Sequence, residues 1–126
     1  MLGTPKLLIA EDDRFLSSLL KARLEKDQFE VKIASDGEEV LEILKAFKPD
    51  IIVLDLIMPR LSGFEVLEAL SVDPQYSSIP VIVLSNLSQE SDMERAKQLG
   101  VAEYFIKART SIDDLVKAVK NLGVKV

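Results

Sequence analysis

Five short apolar runs punctuate the chain, at Leu7–Ala10, Phe29–Ala34, Ile51–Leu54, Val81–Leu84 and Tyr104–Ile106. Each is too short for a helix and is predicted to be a strand. The intervals between them carry helical spacing. Phe15, Leu16, Leu19, Leu20 and Leu24 form one stripe, and Val40, Leu41, Leu44 and Phe47 a second. Phe64, Leu67 and Leu70 form a third, and Ile112, Leu115, Val116, Val119 and Leu122 close the chain. The fourth helical stripe, Met93, Ala96 and Leu99, is thinner and predicts a helix held less tightly. Asp36 with Glu39, and Ser111 with Asp114, have the spacing of capping boxes, with Asp36 as a carboxylate variant. Gly100 and Gly123 suit helix C-termini.

Strict alternation of strand and helix implies a parallel sheet covered by helices on both faces. Strand texture then orders the sheet. Leu7–Ala10, Ile51–Leu54 and Val81–Leu84 are apolar throughout, as strands covered on both faces must be. The second run alternates, with Phe29, Val31 and Ile33 against Glu30 and Lys32, and reads as an edge. The fifth is short and flanked by Glu103 and Lys107, so it takes the other edge. Keeping sequential neighbours adjacent leaves the order 2-1-3-4-5, a single doubly wound (βα)5 flavodoxin-like α/β domain over residues 1–126. In such sheets ligands sit beyond the carboxyl ends of the strands, where the winding reverses, here between strands 1 and 3.

Composition narrows the chemistry that such a crevice could host. The 126 residues include 16 Lys+Arg against 21 Asp+Glu, a net charge of -5, and no Cys, His or Trp. Without His there is no imidazole base, no Ser-His-Asp triad and no phosphohistidine donor in this chain. Without Cys there is no thiol nucleophile, disulfide or thiolate metal site. The acidic balance argues against direct nucleic-acid binding. No run approaches the length that spans a bilayer, and Met1–Pro5 lacks the start of a signal peptide. A cytoplasmic location is therefore expected.

Strand 1 runs into Glu11-Asp12-Asp13, strand 3 into Asp55, strand 4 into Ser85 and strand 5 into Lys107. Carboxylates converging on one crevice repel each other, and a hard cation relieves that repulsion. Mg²⁺ suits a small carboxylate cluster that must also hold phosphoryl oxygens, and Mn²⁺ is an alternative. Lys107 and Ser85 would stabilise a transferring phosphoryl group, with Asp55 as the nucleophile that becomes an acyl phosphate.

These strand-end residues lie in four segments: Leu7–Asp13, Asp50–Gly63 (DIIVLDLIMPRLSG), Ile79–Ser85 (IPVIVLS) and Leu99–Lys107 (LGVAEYFIK). In that order, over essentially the whole chain, they resemble the receiver domain of two-component response regulators, including the chemotaxis-regulator type. The resemblance implies that Asp55 is the phosphoacceptor. It implies that Asp12 ligates the metal directly and Glu11 through water, with the backbone carbonyl of Ile57 completing the shell. Asp13 falls near the start of helix 1 instead. Ser85 matches the hydroxyl residue that swings toward the phosphoryl group, Lys107 its ion partner, and Tyr104 the aromatic switch. The implied phosphate donor is a histidine kinase or phosphotransfer protein. The implied readout is the face of helix 4, strand 5 and helix 5, toward a downstream target or output domain, with a phosphorylation-dependent dimer left open. The only catalysis expected is of the domain's own phosphorylation and dephosphorylation, so it is not an enzyme.

The chain departs from the family pattern at several positions. Ala108 follows Lys107 where most receivers have proline in a cis bond. A non-proline cis bond costs about 2.5–4 kcal/mol, so a trans bond, or a cis bond held by strain, is expected, and the aim of Lys107 hangs on it. Ser85 stands where Thr is usual, and Asn86 where Ala or Gly is common, which narrows access. Ile57 and Leu87 occupy positions that influence acyl-phosphate hydrolysis, and neither can orient water, so a long-lived phosphorylated state is expected. Three rivals share parts of the pattern. A flavodoxin-type cofactor binder would need a phosphate cradle where Glu11-Asp12-Asp13 repels one. A Mg²⁺-dependent Asp-nucleophile phosphatase would place a second Asp where Ile57 stands. A pseudo-receiver would bind partners without being phosphorylated, and Ala108 is the feature that favours it. No output domain is expected after the last helix, and either a stand-alone protein or a module of a longer regulator or hybrid kinase fits the pattern.

Overall fold

A computed structural model describes residues 3–123 of the chain. The readings placed on the termini, at Met1-Leu2 and Val124–Val126, lie outside the described residues. Ten main elements alternate without exception: β1 (Lys6–Ala10), α1 (Arg14–Lys26), β2 (Glu30–Ala34), α2 (Gly37–Leu44), β3 (Ile51–Leu54), α3 (Gly63–Ser71), β4 (Val81–Ser85), α4 (Glu90–Gln98), β5 (Glu103–Ile106) and α5 (Ile112–Gly123). A 3-10 turn, Lys107–Arg109, leads from β5 toward α5. The five strands are parallel in the order β2-β1-β3-β4-β5, the flavodoxin-like arrangement expected from strand texture.

Period-two alternation splits the buried residues into two cores. Leu7 and Ile9 of β1 point to one face with Ile51, Val53, Ile82 and Leu84, where Leu20 and Leu24 of α1 and Leu115 and Val119 of α5 cover them. Leu8 and Ala10 point to the other face with Ile52, Leu54 and Val83, under Val40, Phe64, Leu67 and Ala96. The central strands β1, β3 and β4 are thus apolar because both their faces are covered. Edge strand β2 keeps Glu30 and Lys32 exposed, and β5 has no fully buried residue.

Helix starts are set by local hydrogen bonds. Asp13 caps α1, its Oδ1 accepting the N–H groups of Phe15 and Leu16. Asp36 caps α2 through the Glu39 N–H at 2.8 Å, but the Glu39 carboxylate reaches back to the N–H of Ser35 rather than to Asp36. Ser111 accepts the Asp114 N–H at 3.0 Å. Ser62 and Glu65 form a complete capping box on α3 that the hydrophobic pattern did not reveal. Gly100, at φ 89, turns the chain out of α4 in a conformation that a side chain resists.

Two expectations need correction. The first apolar stripe is not all core: Phe15 is 80% exposed and Leu19 39%. The buried face of α1 runs through Ser17, Leu20 and Leu24, and the helical period carries positions 15 and 19 off it. Phe47 is buried, but from the turn after α2, which ends at Leu44. The thin fourth stripe does yield a lightly held helix. Ala96 is its one buried residue, and Gln89 makes no side-chain cap. Arg95 ties it to α3, with its guanidinium 4.2 Å from the Phe64 ring centre and 3.6 Å from Glu68.

Candidate functional site

The sheet ladder delivers the acidic residues to one place. Glu11 continues β1, its N–H donating to Ala34 O, and Asp55 continues β3, its N–H donating to Ala10 O. Both side chains are buried, Glu11 at 3% and Asp55 at 5% exposure, while Asp12 sits exposed at the rim. Glu11, Asp12 and Asp55 each offer a carboxylate oxygen within 4.8 Å of the others.

Lys107 reaches across from the end of β5. Its Nζ donates to Asp55 Oδ2 at 2.9 Å and lies 2.6 Å from Glu11 Oε1. The second approach is an ionic contact without hydrogen-bond alignment, so Glu11 Oε1 keeps no true hydrogen bond. The contact with Glu11 was not foreseen. Each remaining carboxylate oxygen of the pair is held by backbone: Asp55 Oδ1 accepts the Ile57 N–H at 3.1 Å and Glu11 Oε2 the Asp13 N–H at 3.1 Å. The loop that follows Asp55 can close this tightly because Gly63 lacks a side chain. A Cβ there would collide with the Asp55 carbonyl oxygen and stand 2.5 Å from Leu56 Cα.

The electrostatics follow from crowding. Burial pushes the Glu11 carboxyl up to about 7, against the lowering effect of the close Lys107 ammonium and of the Asp13 backbone N–H, with Asp55 adding repulsion. For Lys107, burial opposes the charge, but the adjacent Glu11 and Asp55 carboxylates outweigh it and raise the ammonium above its ordinary value. Three acidic groups with one lysine leave a surplus of negative charge, and Glu11 Oε1 has no hydrogen bond. Such a donor set fits a hard divalent cation.

Of the two forms left open for the Lys107–Ala108 bond, the trans one is observed, since no described peptide bond is cis. Loss of proline therefore does not carry Lys107 off Asp55. Ser85 is fully buried at the end of β4, its Oγ accepting the Leu87 N–H at 3.3 Å. Tyr104, half-buried, donates its hydroxyl to the Leu87 carbonyl at 2.7 Å. Ser85 and Tyr104 thus meet through one residue of the β4–α4 loop. Burial, then Asp92 and Asp55, pushes the Tyr104 phenol up. The Ile57 side chain is 55% exposed beside the site. Asn86, read from sequence only as bulk, instead accepts the Ala108 N–H at 3.1 Å. The available signal was Ala108 itself, because a residue other than proline restores an N–H that needs a partner.

The family model for the response regulator receiver domain matches residues 7–120. A probable transcriptional regulator (ycf27) of Porphyridium aerugineum is 37% identical over 102 residues, which cover 81% of this chain and 41% of that protein. This chain therefore spans about two fifths of the length of that regulator. Protein PilH of Pseudomonas aeruginosa is 33% identical over 102 residues, 81% of this chain and 84% of PilH. Among solved structures, the Mn(2+)-bound form of response regulator Rcp1 superposes with a TM-score of 0.85 at 27% identity, covering 97% of each chain.

Proposed function

The chain belongs to the response regulator receiver domain family of two-component systems, and on that premise we propose that it is a phosphoacceptor switch with Asp55 as nucleophile. One observation carries the reading: a buried Asp55 in an acidic crevice is held by Lys107 Nζ at 2.9 Å. An Asp55 carboxylate oxygen attacks the phosphorus of a phosphohistidine on a histidine kinase or phosphotransfer protein. The new O–P bond forms as the P–N bond breaks, and the imidazole leaves with the electron pair and takes up a proton. Lys107, freed from its carboxylate, neutralises a phosphoryl oxygen. Ser85 gives up the Leu87 N–H and turns its hydroxyl to donate to another.

Asp12, Asp55, the Ile57 carbonyl and, through water, Glu11 would hold Mg²⁺, with Mn²⁺ as a substitute. When bound, the ion supplies Lewis-acid charge and a template for the phosphoryl oxygens. The Mn(2+)-bound form of Rcp1, a similar response regulator, supports this reading. Movement of Ser85 disturbs Leu87, and with it the hydrogen bond that holds Tyr104. That passes the change to α4, β5 and α5, where a target or output domain would read it. The lightly held α4 supports a movable face. We take residues 1–126 as one such domain, acting in the cytoplasm as a signalling module rather than an enzyme. No described helix is long and apolar enough to cross a membrane.

The phosphatase alternative lacks its general acid, since Ile57 stands in that place. Intact mass after incubation with Mg²⁺ and acetyl phosphate tests the proposal. One phosphoryl addition is expected in wild type, absent in Asp55→Asn and absent without the metal. No addition to wild type, or addition to Asp55→Asn, refutes it.

A further inference from the structure

The Lys107 side chain has four rotatable bonds, so its aim depends on the backbone from which it starts. That backbone is the Lys107–Arg109 turn, whose cap residue Ile106 makes no side-chain hydrogen bond. The β4–β5 ladder ends at the Ser85–Ile106 pair, one residue short of Lys107. Beyond it, the Thr110 hydroxyl donates to Ile106 O at 2.8 Å, closing the turn on itself. A second bond ties the turn to β4: the Ala108 N–H donates to Asn86 Oδ1 at 3.1 Å. Proline at 108 would have no N–H to give. Asn86 and Ala108 thus form a matched pair, one residue beyond Ser85 and one beyond Lys107.

We propose that Asn86 is a positioning residue, whose amide oxygen holds the trans Lys107–Ala108 peptide and so keeps the lysine ammonium on Asp55. This deepens the phosphoacceptor reading and rests on it. Asn86 extends the sheet contact by one step, from the strand end that carries the hydroxyl to the strand end that carries the cation. Its side chain makes no hydrogen bond to Asp55 or Glu11, so it acts through the backbone. The exposed position of Asn86 lets it be replaced without disturbing either core.

The test is a double-mutant cycle on the full chain, using acetyl phosphate at saturating Mg²⁺ and reading the rate of phosphoryl incorporation. Asn86→Ala is expected to slow wild type about three- to tenfold, the effect of one net hydrogen bond. In an Ala108→Pro background, which has no donor, the same substitution should change the rate by less than about twofold. Hydrogen exchange of the Ala108 amide should accelerate in Asn86→Ala by more than the loss of global stability, read from the urea midpoint, accounts for. In Asn86→Asp, which keeps an acceptor, the amide should stay protected. An Asn86→Ala rate equal to wild type overturns the positioning role, as does an equal loss in both backgrounds. Failure of wild type to take up a phosphoryl group is a separate result. It overturns the phosphoacceptor reading and removes this role with it.

Discussion

Glu11 should make the metal-free protein less stable as the solution becomes more alkaline. Its carboxyl is held at about 7 in the folded chain, against 4.5 in the absence of burial. The unfolded chain therefore gives up the Glu11 proton first, and between those values the folded state binds more protons. Stability then falls as pH rises through the window, with the penalty fully developed above about pH 7. At 1.36 kcal/mol per pKa unit, going from about pH 5 to about pH 8 withdraws about 2–3 kcal/mol through this group alone. Urea unfolding in chelator, at the two pH values, gives the total change. Glu11→Gln isolates the part due to this carboxyl, since other groups titrate in both proteins. The variant should lose about 2–3 kcal/mol less than wild type over that interval. Parallel pH profiles for the two proteins would refute the claim that burial of Glu11 controls this dependence.

Three other outcomes follow from the same geometry. Gly63→Ala should destabilise by about 1–3 kcal/mol or more, because its Cβ would meet backbone that cannot yield; an unchanged urea midpoint contradicts the close approach. Tyr104→Phe removes the hydroxyl bond to Leu87 O and should cost about 0.5–1.5 kcal/mol, read from chemical denaturation; no change in stability would show that the bond is not formed in solution. The phosphorylated protein should be long-lived, because Ile57 and Leu87 orient no water, and decay within seconds in a mass time course would sink that expectation.

The loss of proline after Lys107 shows how local sequence and tertiary contact divide the control of this site. Read along the chain, Ala108 put the lysine's aim in question. Across the sheet the turn is held from the next strand by Asn86, and Lys107 still contacts both Asp55 and Glu11. The partner of an N–H in a turn lies 22 residues away in sequence, so no local pattern reveals it.

Much of the fold was legible because parallel sheets write their burial into composition. Strands covered on both faces must be apolar throughout, and edge strands retain charge, so Leu7–Ala10, Ile51–Leu54 and Val81–Leu84 declared themselves central. With the order known, the carboxyl ends that bear Glu11, Asp12, Asp55, Ser85 and Lys107 had to converge. Helical periodicity was less decisive: an apolar residue at the right spacing need not find a neighbour, and Phe15 is exposed because no described element covers that side of α1. The pairing of Lys107 with Glu11, the joining of Ser85 to Tyr104 through Leu87 and the seating of Gly63 on Asp55 were decided by tertiary structure alone. Burial class depends on composition, which each segment carries with it. These contacts depend on distances between segments far apart in the chain, which exist only once the sheet and its loops have packed.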